Sequence, residues 1–408
     1  MATLGVFDKR CFQSEDKVIA LESDLDRQCC FNFFSRLQGS LVMRVSQSGR
    51  VSRWLTYGRS ASSPIASYWR VFVPAVSLLA LTAAACNPSV RPMNTFAPES
   101  DLAQWILGLY LQVTAWDTLI FLIVLVALFL ALFVFSTRVG EAAPPASASS
   151  DLWLEVAWTV GPALILLFIA IPTVRVIFRT QPPAPPAGSL IIEVVAHQWW
   201  WEFDYPALGI KTANELHVPI DRSLRLELHS ADVIHSFWVP ELGGKRDVVP
   251  GQTNEITFVA NVPGEYLGQC AEFCGLSHAN MRFKVFVEPP TEFSSWTRHQ
   301  LSGALALGAT NGSVSHASEI AEGQRIFANS PCTTCHMIAG ISAGAIAPNL
   351  THFGSRTSLA GATFDNTTEN LAKWINDPQA LKPGAKMPAL GVRGDQLSDL
   401  VAYLESLK

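Results

Sequence analysis

The chain has 408 residues, room for two or three domains at about 150 residues each, so one small domain is excluded. Charged residues make up 15% of it, against roughly 25% in soluble domains, and hydrophobic residues 49%, which excludes disorder or a charged coiled coil as a description of the whole. The net charge of -5 offers no basic surface for phosphates, so nucleic acid is not an expected partner, and eight cysteines are too few for a disulfide scaffold.

From Arg27 to Arg70 there are seven arginines and no acidic residue, and the chain then runs uncharged through 15 residues, Val71–Ala85, to Cys86. Such a run is too short for a hydrocarbon core about 30 Å thick, and it ends in small residues, as a signal peptide does. Residues 1–85 therefore read as an N-terminal extension and signal peptide, with a buried helix as the alternative. LTAAAC resembles a bacterial lipoprotein signal, which implies lipid on Cys86, although Ala83 stands where that signal usually has Leu. A true start near Met43 explains the long preceding stretch and leaves Cys11, Cys29 and Cys30 without a role in the mature chain.

Two longer apolar runs follow, Thr118–Thr137 and Val156–Val174, of 20 and 19 uncharged residues, each long enough to span. The short connection VGEAAPPASASS predicts a transmembrane hairpin within residues 86–180, with spans near 113–137 and 153–177. Loop charge orients it weakly, because Arg138 lies between the spans and Arg175 and Arg179 follow them. An exported N-terminus and two spans put everything after Arg179 outside the cytoplasm. Glu155, in LEVAWTVGPALI, stands at the start of the second span, where a carboxylate is expensive enough to suggest function. An interfacial carboxylate without a role is the alternative.

After QPPAPPAGS the pattern changes to short β-rich runs separated by Pro-Gly turns, predicting a β-sandwich over 190–288. Within it CAEFCGLSHANM supplies Cys270, Cys274, His278 and Met281, and DVIHSFWVP supplies His235. Two thiolates, two imidazoles and a thioether suit copper, since a weak Met ligand is typical of copper electron-transfer sites. A second thiolate on the same loop lets two sulfurs bridge two coppers. A Cys₂His₂ zinc site and a Cys270–Cys274 disulfide are the alternatives, and each leaves donors unexplained.

The C-x-E-x-C-x₃-H-x₂-M loop, the upstream DVIHSFWVP and the paired spans resemble subunit II of haem-copper cytochrome c oxidases, over about 102–288. The resemblance implies a cupredoxin-like β-sandwich whose binuclear CuA centre is held by His235, Cys270, Cys274, His278, Met281 and the carbonyl of Glu272. It implies that the Glu272 side chain also reaches a magnesium ion at the interface with subunit I. In QWWWEF it assigns to Trp199 the passage of electrons to CuA, with packing of all three rings as the alternative. Trp200 replaces the family's usual Tyr. It further implies that Glu155 marks the mouth of a proton path into subunit I. His197, His217 and His229 lack a comparable ligand context and read as surface or hydrogen-bonded residues.

Residues 289–318 are Ser/Ala/Gly-rich and read as a linker. A separate domain over 319–408 begins with CTTCH, which puts Cys332, Cys335 and His336 in the C-x-x-C-H haem-attachment pattern. A thioredoxin-like pair is the alternative, but no βαβ pattern surrounds it. After the linker the methionines are Met337, too close to His336 to reach the opposite iron face, and Met387 in GAKMPAL. Met387 is thus the expected second axial ligand, with His352 as alternative, and Met/His ligation raises the potential as an electron carrier requires. EIAEGQRIFANSPCTTCH and QLSDLVAYLESLK resemble the first and last helices of class I cytochromes c, which implies an all-α fold and a His336 N–H bonded to the Pro348 carbonyl.

Together the parts resemble the caa3-type arrangement, an electron-input subunit with a fused donor. The resemblance implies partners in oxidase subunits I and III, a cytochrome c or another electron donor, and membrane lipid. It implies a multi-pass bacterial cell membrane protein with both redox domains on the periplasmic side. The alternatives are the CuA subunit of a nitric oxide reductase, a membrane-anchored electron carrier, and a nitrous oxide reductase fragment.

Overall fold

The computed structural model describes residues 92–134, 151–181, 184–303 and 314–408. The extension and signal run, Cys11, Cys29, Cys30, Met43 and Cys86, the connection between the spans with Arg138, and residues 304–313 lie outside the described residues.

Among the described residues, two helices are long and apolar enough to cross a membrane: α1, Asp101–Phe129, continuing in a π-helical stretch Leu130–Val134, and α2, Leu152–Thr180. Helix α1 begins well ahead of its apolar run because its first residues are fastened to the β domain. Ser100 Oγ accepts from the Ala103 amide at 3.0 Å and donates to the Leu242 carbonyl at 2.6 Å, while Asp101 accepts from the Val259 amide at 2.7 Å. Farther along, Trp116 stacks on Phe168 at 5.8 Å and the Arg179 guanidinium lies 4.1 Å over Trp105. Glu155 sits in the first turn of α2, and the 25 residue steps from it to Thr180 put it about 38 Å by helical rise from the end near the β domain.

The β domain is two five-stranded sheets. One has the order β3-β2-β1-β5-β8 (Ile210–Ala213, Trp200–Tyr205, Leu190–His197, Ser223–Ser230, Asn254–Val259). The other has the order β4-β10-β9-β6-β7 (Glu215–Pro219, Arg282–Glu288, Gly264–Cys270, His235–Trp238, Arg246–Val248). Strict alternation turns Leu190, Ile192, Val194 and Ala196 of β1 inward, as period-2 geometry requires, to meet Phe283, Val285 and Val287 of β10. The Phe283 ring fills the space a side chain at Gly268 would need, since a Cβ there would lie 2.2 Å from it.

The stretch read as a linker is in part ordered. Residues Pro290–Leu301 form α3, with Pro at its start, Glu292 in the first turn, and Arg298 and His299 in the last. Its Phe293 is buried, and Trp296 stacks on His217 at 4.5 Å and packs against Tyr205. Two aromatic residues one turn apart give this short helix an apolar face that Ser/Ala/Gly composition concealed.

The C-terminal domain contains α4 (Val314–Ala328), α5 (Cys332–Cys335), α6 (Thr368–Asn376), α7 (Pro378–Leu381) and α8 (Asp395–Ser406), with two two-residue strand pairs between α5 and α6. Helices α4 and α8 cross at Gly323, where a Cβ would lie 2.0 Å from the Asp399 carbonyl oxygen. Phe327, Leu371, Ile375, Leu400 and Tyr403 close the core around this crossing. Gly323→Val must therefore force the two helices apart. It is expected to destabilise the C-terminal domain by about 1–3 kcal/mol, read as a lower Tm of that domain by calorimetry, with the β domain transition unmoved.

Candidate functional site

The copper-type donors converge at one end of the second sheet. Cys270 ends β9, His235 opens β6, and Cys274, His278 and Met281 follow on the loop that returns to β10. The Cys270 and Cys274 sulfurs are 3.8 Å apart, far beyond the roughly 2.05 Å of a disulfide. His235 Nδ1 lies 3.9 Å from Cys270 Sγ, His278 Nδ1 3.6 Å and Met281 Sδ 3.8 Å from Cys274 Sγ, and the Glu272 carbonyl 3.2 Å from Cys270 Sγ. All five side chains and that carbonyl therefore face one small volume, with His235 and Met281 fully buried. The Glu272 side chain is exposed.

Asp232, three residues before His235, was missed at the level of sequence although it lies in DVIHSFWVP. Its carboxylate accepts from His235 Nε2 at 2.8 Å, which fixes the ring so that Nδ1 offers its lone pair to the cluster. Burial alone would raise this carboxyl. Hydrogen bonds from His235, from the Gln198 and Val233 amides and from Lys386 outweigh it and hold the group down to about 2. The two thiols share a hydrogen bond that lowers the pKa of Cys270 and raises that of Cys274, and metal binding must displace whatever thiol proton remains.

The three tryptophans have three different environments. Trp201 points into the core against Phe237 and Phe283, and Trp200 stacks on His197 at 4.2 Å on the opposite face of β2. Trp199 lies in the turn before β2, and its indole N–H donates to the Cys274 carbonyl at 3.1 Å. The Gln198 side-chain amide donates to the same carbonyl at 2.8 Å. The far edge of the Trp199 ring reaches the C-terminal domain.

There it helps to line a cavity of about 260 Å³ whose wall also carries Cys332, Cys335, His336, Met387 and Arg356. His336 Nδ1–H donates to the Pro348 carbonyl at 2.8 Å, leaving Nε2 free to bind a metal. Burial lowers the His336 pKa against the effect of that hydrogen bond, which favours the neutral ring a metal needs. Met387 is on the cavity wall, whereas His352 bonds the Gln300 carbonyl at 3.2 Å and does not line it. The donor set and the apolar cavity suit a tethered haem. Lys382 and Glu215, which had no motif to flag them, are buried where the two domains meet. Of the other histidines, His217 bonds Glu288 at 3.0 Å and His229 lies 3.3 Å from the Thr253 hydroxyl.

Comparison with known proteins follows the same three parts. Residues 98–176 match the profile of the cytochrome c oxidase subunit II transmembrane domain, residues 207–287 that of its periplasmic domain, and residues 320–408 that of cytochrome c. A cytochrome c oxidase subunit 2 from Alkalihalophilus pseudofirmus is 35% identical over 321 residues, which are 78% of this chain and 91% of that one. The chain belongs to the cytochrome c oxidase subunit II family. The Bacillus subtilis subunit 2 is also 35% identical, over 292 residues, covering 67% of this chain and 79% of that one. Among solved structures, the periplasmic domain of subunit II of cytochrome oxidase from Bradyrhizobium japonicum is 32% identical, covering 30% of this chain and 97% of that one, with a TM-score of 0.28. The chain is thus a subunit II with a fused cytochrome c domain, the caa3-type order, and an electron-input subunit of a membrane-anchored haem-copper oxidase complex with extracellular domains. Membership implies CuA copper in the β domain, haem in the C-terminal domain, and a subunit I partner.

Because Asp232 fixes the His235 ring without itself touching the cluster, Asp232→Ala is expected to weaken copper binding roughly 10- to 100-fold while leaving the β-sandwich folded. Competition with a copper chelator, alongside circular dichroism, measures both.

Proposed function

We propose that the chain takes electrons at a covalent haem c and passes them through Trp199 to binuclear CuA, for delivery to subunit I and reduction of oxygen to water coupled to proton pumping. The observation that carries this reading is the position of one indole, bonded at one edge to the Cys274 carbonyl and lining the C-terminal cavity at the other. When bound, the copper pair and the haem supply one-electron oxidation and reduction. The chain's residues do the rest.

His235, Cys270, Cys274, His278, Met281 and the Glu272 carbonyl hold the copper pair, with Asp232 setting the His235 tautomer. Cys332 and Cys335 tether the haem, His336 and Met387 ligate its iron, and Arg356 on the wall offers a countercharge to its carboxylates. The Glu272 carboxylate, exposed beside a Phe273 that is 77% exposed, faces outward where subunit I would supply the remaining ligands of a magnesium ion. Glu155, half-buried at the opposite end of α2, receives protons for the path into subunit I. Subunit III and a cytochrome c or another reduced carrier complete the partners.

Attachment of α1 to the β domain through Ser100 and Asp101 supports a multi-pass protein of a bacterial cell membrane with both redox domains on the periplasmic face. The residues that catalyse oxygen reduction belong to subunit I in this reading.

Metal analysis of the purified full-length chain in its complex, together with paramagnetic resonance, tests the wire. Two coppers and one haem iron are expected in this subunit, with hyperfine lines from one electron shared equally by two copper nuclei. A localised copper spin, or zinc in the loop, would refute the assignment. Glu155→Ala is expected to slow oxygen consumption by the assembled enzyme while copper and haem spectra stay intact, and an unchanged rate would remove Glu155 from the proton path.

A further inference from the structure

Two buried polar side chains cross the contact between the β domain and the C-terminal domain in opposite directions. Glu215 of β4, 3% exposed, accepts from the backbone amides of Thr357 and Ser358 at 2.9 Å each and from their hydroxyls at 2.9 and 2.7 Å. Lys382, at the end of α7 and 2% exposed, donates from Nζ to the carbonyls of Trp199 and Ala360, both at 2.7 Å. Burying an amino group is costly unless it is hydrogen-bonded, and here two carbonyls rather than a carboxylate accept from it, while burial lowers its pKa to about 7. A lysine used in this way holds a peptide in place. The peptide it holds is that of Trp199.

The Trp199 ring is confined from both sides. A Cβ on Gly275, in the copper loop, would lie 3.0 Å from the ring, and one on Gly384, two residues beyond Lys382, would lie 2.9 Å from it. Both glycines have positive φ, 118° and 82°, so the backbone of each domain comes against one face or edge of the indole where no side chain intervenes. The indole N–H is fixed by the Cys274 carbonyl and the main chain of the same residue by Lys382.

We propose that Lys382 is a positioning residue for electron transfer, through which the C-terminal domain sets the geometry of the tryptophan that carries its electrons. The inference rests on the reading of Trp199 as the bridge between haem and copper. In the step concerned a ferrous haem iron loses one electron and the copper pair gains it. No bond or proton changes at Lys382.

Lys382→Met keeps the length of the stem and removes the donors. In the assembled oxidase, transfer from haem to copper after rapid photoreduction of the haem is expected to slow about tenfold or more, because displacing a correctly placed group by a fraction of its size is costly. Haem absorption and copper resonance spectra should stay as in the parent. Independently of turnover, hydrogen exchange should rise over residues 198–201 while the Thr357 and Ser358 amides remain protected by Glu215. Lys382→Gln, which keeps a shorter donor, should give an intermediate rate. Glu215→Ala provides the contrast: it should release Thr357 and Ser358 and make the transfer rate depend on solvent viscosity, as expected of a domain that must redock. An unchanged transfer rate in Lys382→Met overturns the inference. So does a viscosity-dependent rate in that variant with loss of protection at Thr357 and Ser358, since Lys382 would then only join the domains. Absence of haem-to-copper transfer in the parent protein would instead overturn the functional reading itself.

Discussion

Two hydrogen bonds end on the carbonyl oxygen of Cys274, from the Gln198 side chain at 2.8 Å and from the Trp199 indole at 3.1 Å. They tie the loop that carries the thiolates to the turn between β1 and β2. With the burial of Met281 in the shared core, they fix the loop between β9 and β10 against the first sheet and bring the Trp199 ring up to Gly275. The position of Cys274 and the contact of Trp199 with the copper loop both depend on this one acceptor. A backbone carbonyl serves well here, because it has two lone pairs to offer and its position is set by the loop itself.

The rest of the β domain makes that small region rigid. The sheets bring His235 and Cys270 onto adjacent strands, with Phe237 and Cys270 paired across β6 and β9. Trp201 packs edge to face against Phe237 and Phe283, which stack on each other, beneath them. An electron-transfer site benefits from such packing, since ligands that move little on oxidation and reduction leave little reorganisation to overcome. The half-buried Asp232–His235 bond extends the same restraint outward, and Lys386 of the C-terminal domain reaches the other oxygen of that carboxylate at 3.2 Å. The two domains therefore meet at the copper ligands' supports as well as at Trp199.

This arrangement changes how the fusion works. A flexible tether raises the effective concentration of a donor. Here the contact also includes bonds between segments far apart in the chain: Ser277 to the Pro383 carbonyl, Thr363 to the Asn280 carbonyl, and the Arg282 amide to the Gly361 carbonyl. Helix α3 supports the contact from the other side, where His299 meets the Ser355 hydroxyl. These bonds hold the two domains in register, so that under the proposed function no search among docked poses is needed.

Much of the candidate site was legible in the sequence because its chemistry depends on short spacings. Cys270, Cys274, His278 and Met281 lie within one loop, and Cys332, Cys335 and His336 within one turn, so residue type and separation nearly define them. The spans were legible from apolar length, and the β domain from alternation. Other features depended on contacts that no local pattern records. Composition hid α3, whose stability comes from Phe293 and Trp296 finding Tyr205 and His217 in another layer. The three adjacent tryptophans looked equivalent, and only the turn and the pleat of β2 sent one to the cavity, one outward and one into the core. The sequence offered Met387 and, as alternative, His352 as axial ligand, and only the fold shows that Met387 lines the cavity while His352 turns toward Gln300. Lys382 and Glu215 carry no motif at all, because their partners lie 183 and more than 140 residues away. The sequence by itself determined which groups are present to bind metal and cross a membrane. The tertiary structure decided which nitrogen, ring and carbonyl face one another, since hydrogen-bond direction and packing between distant segments are settled only when the chain is folded.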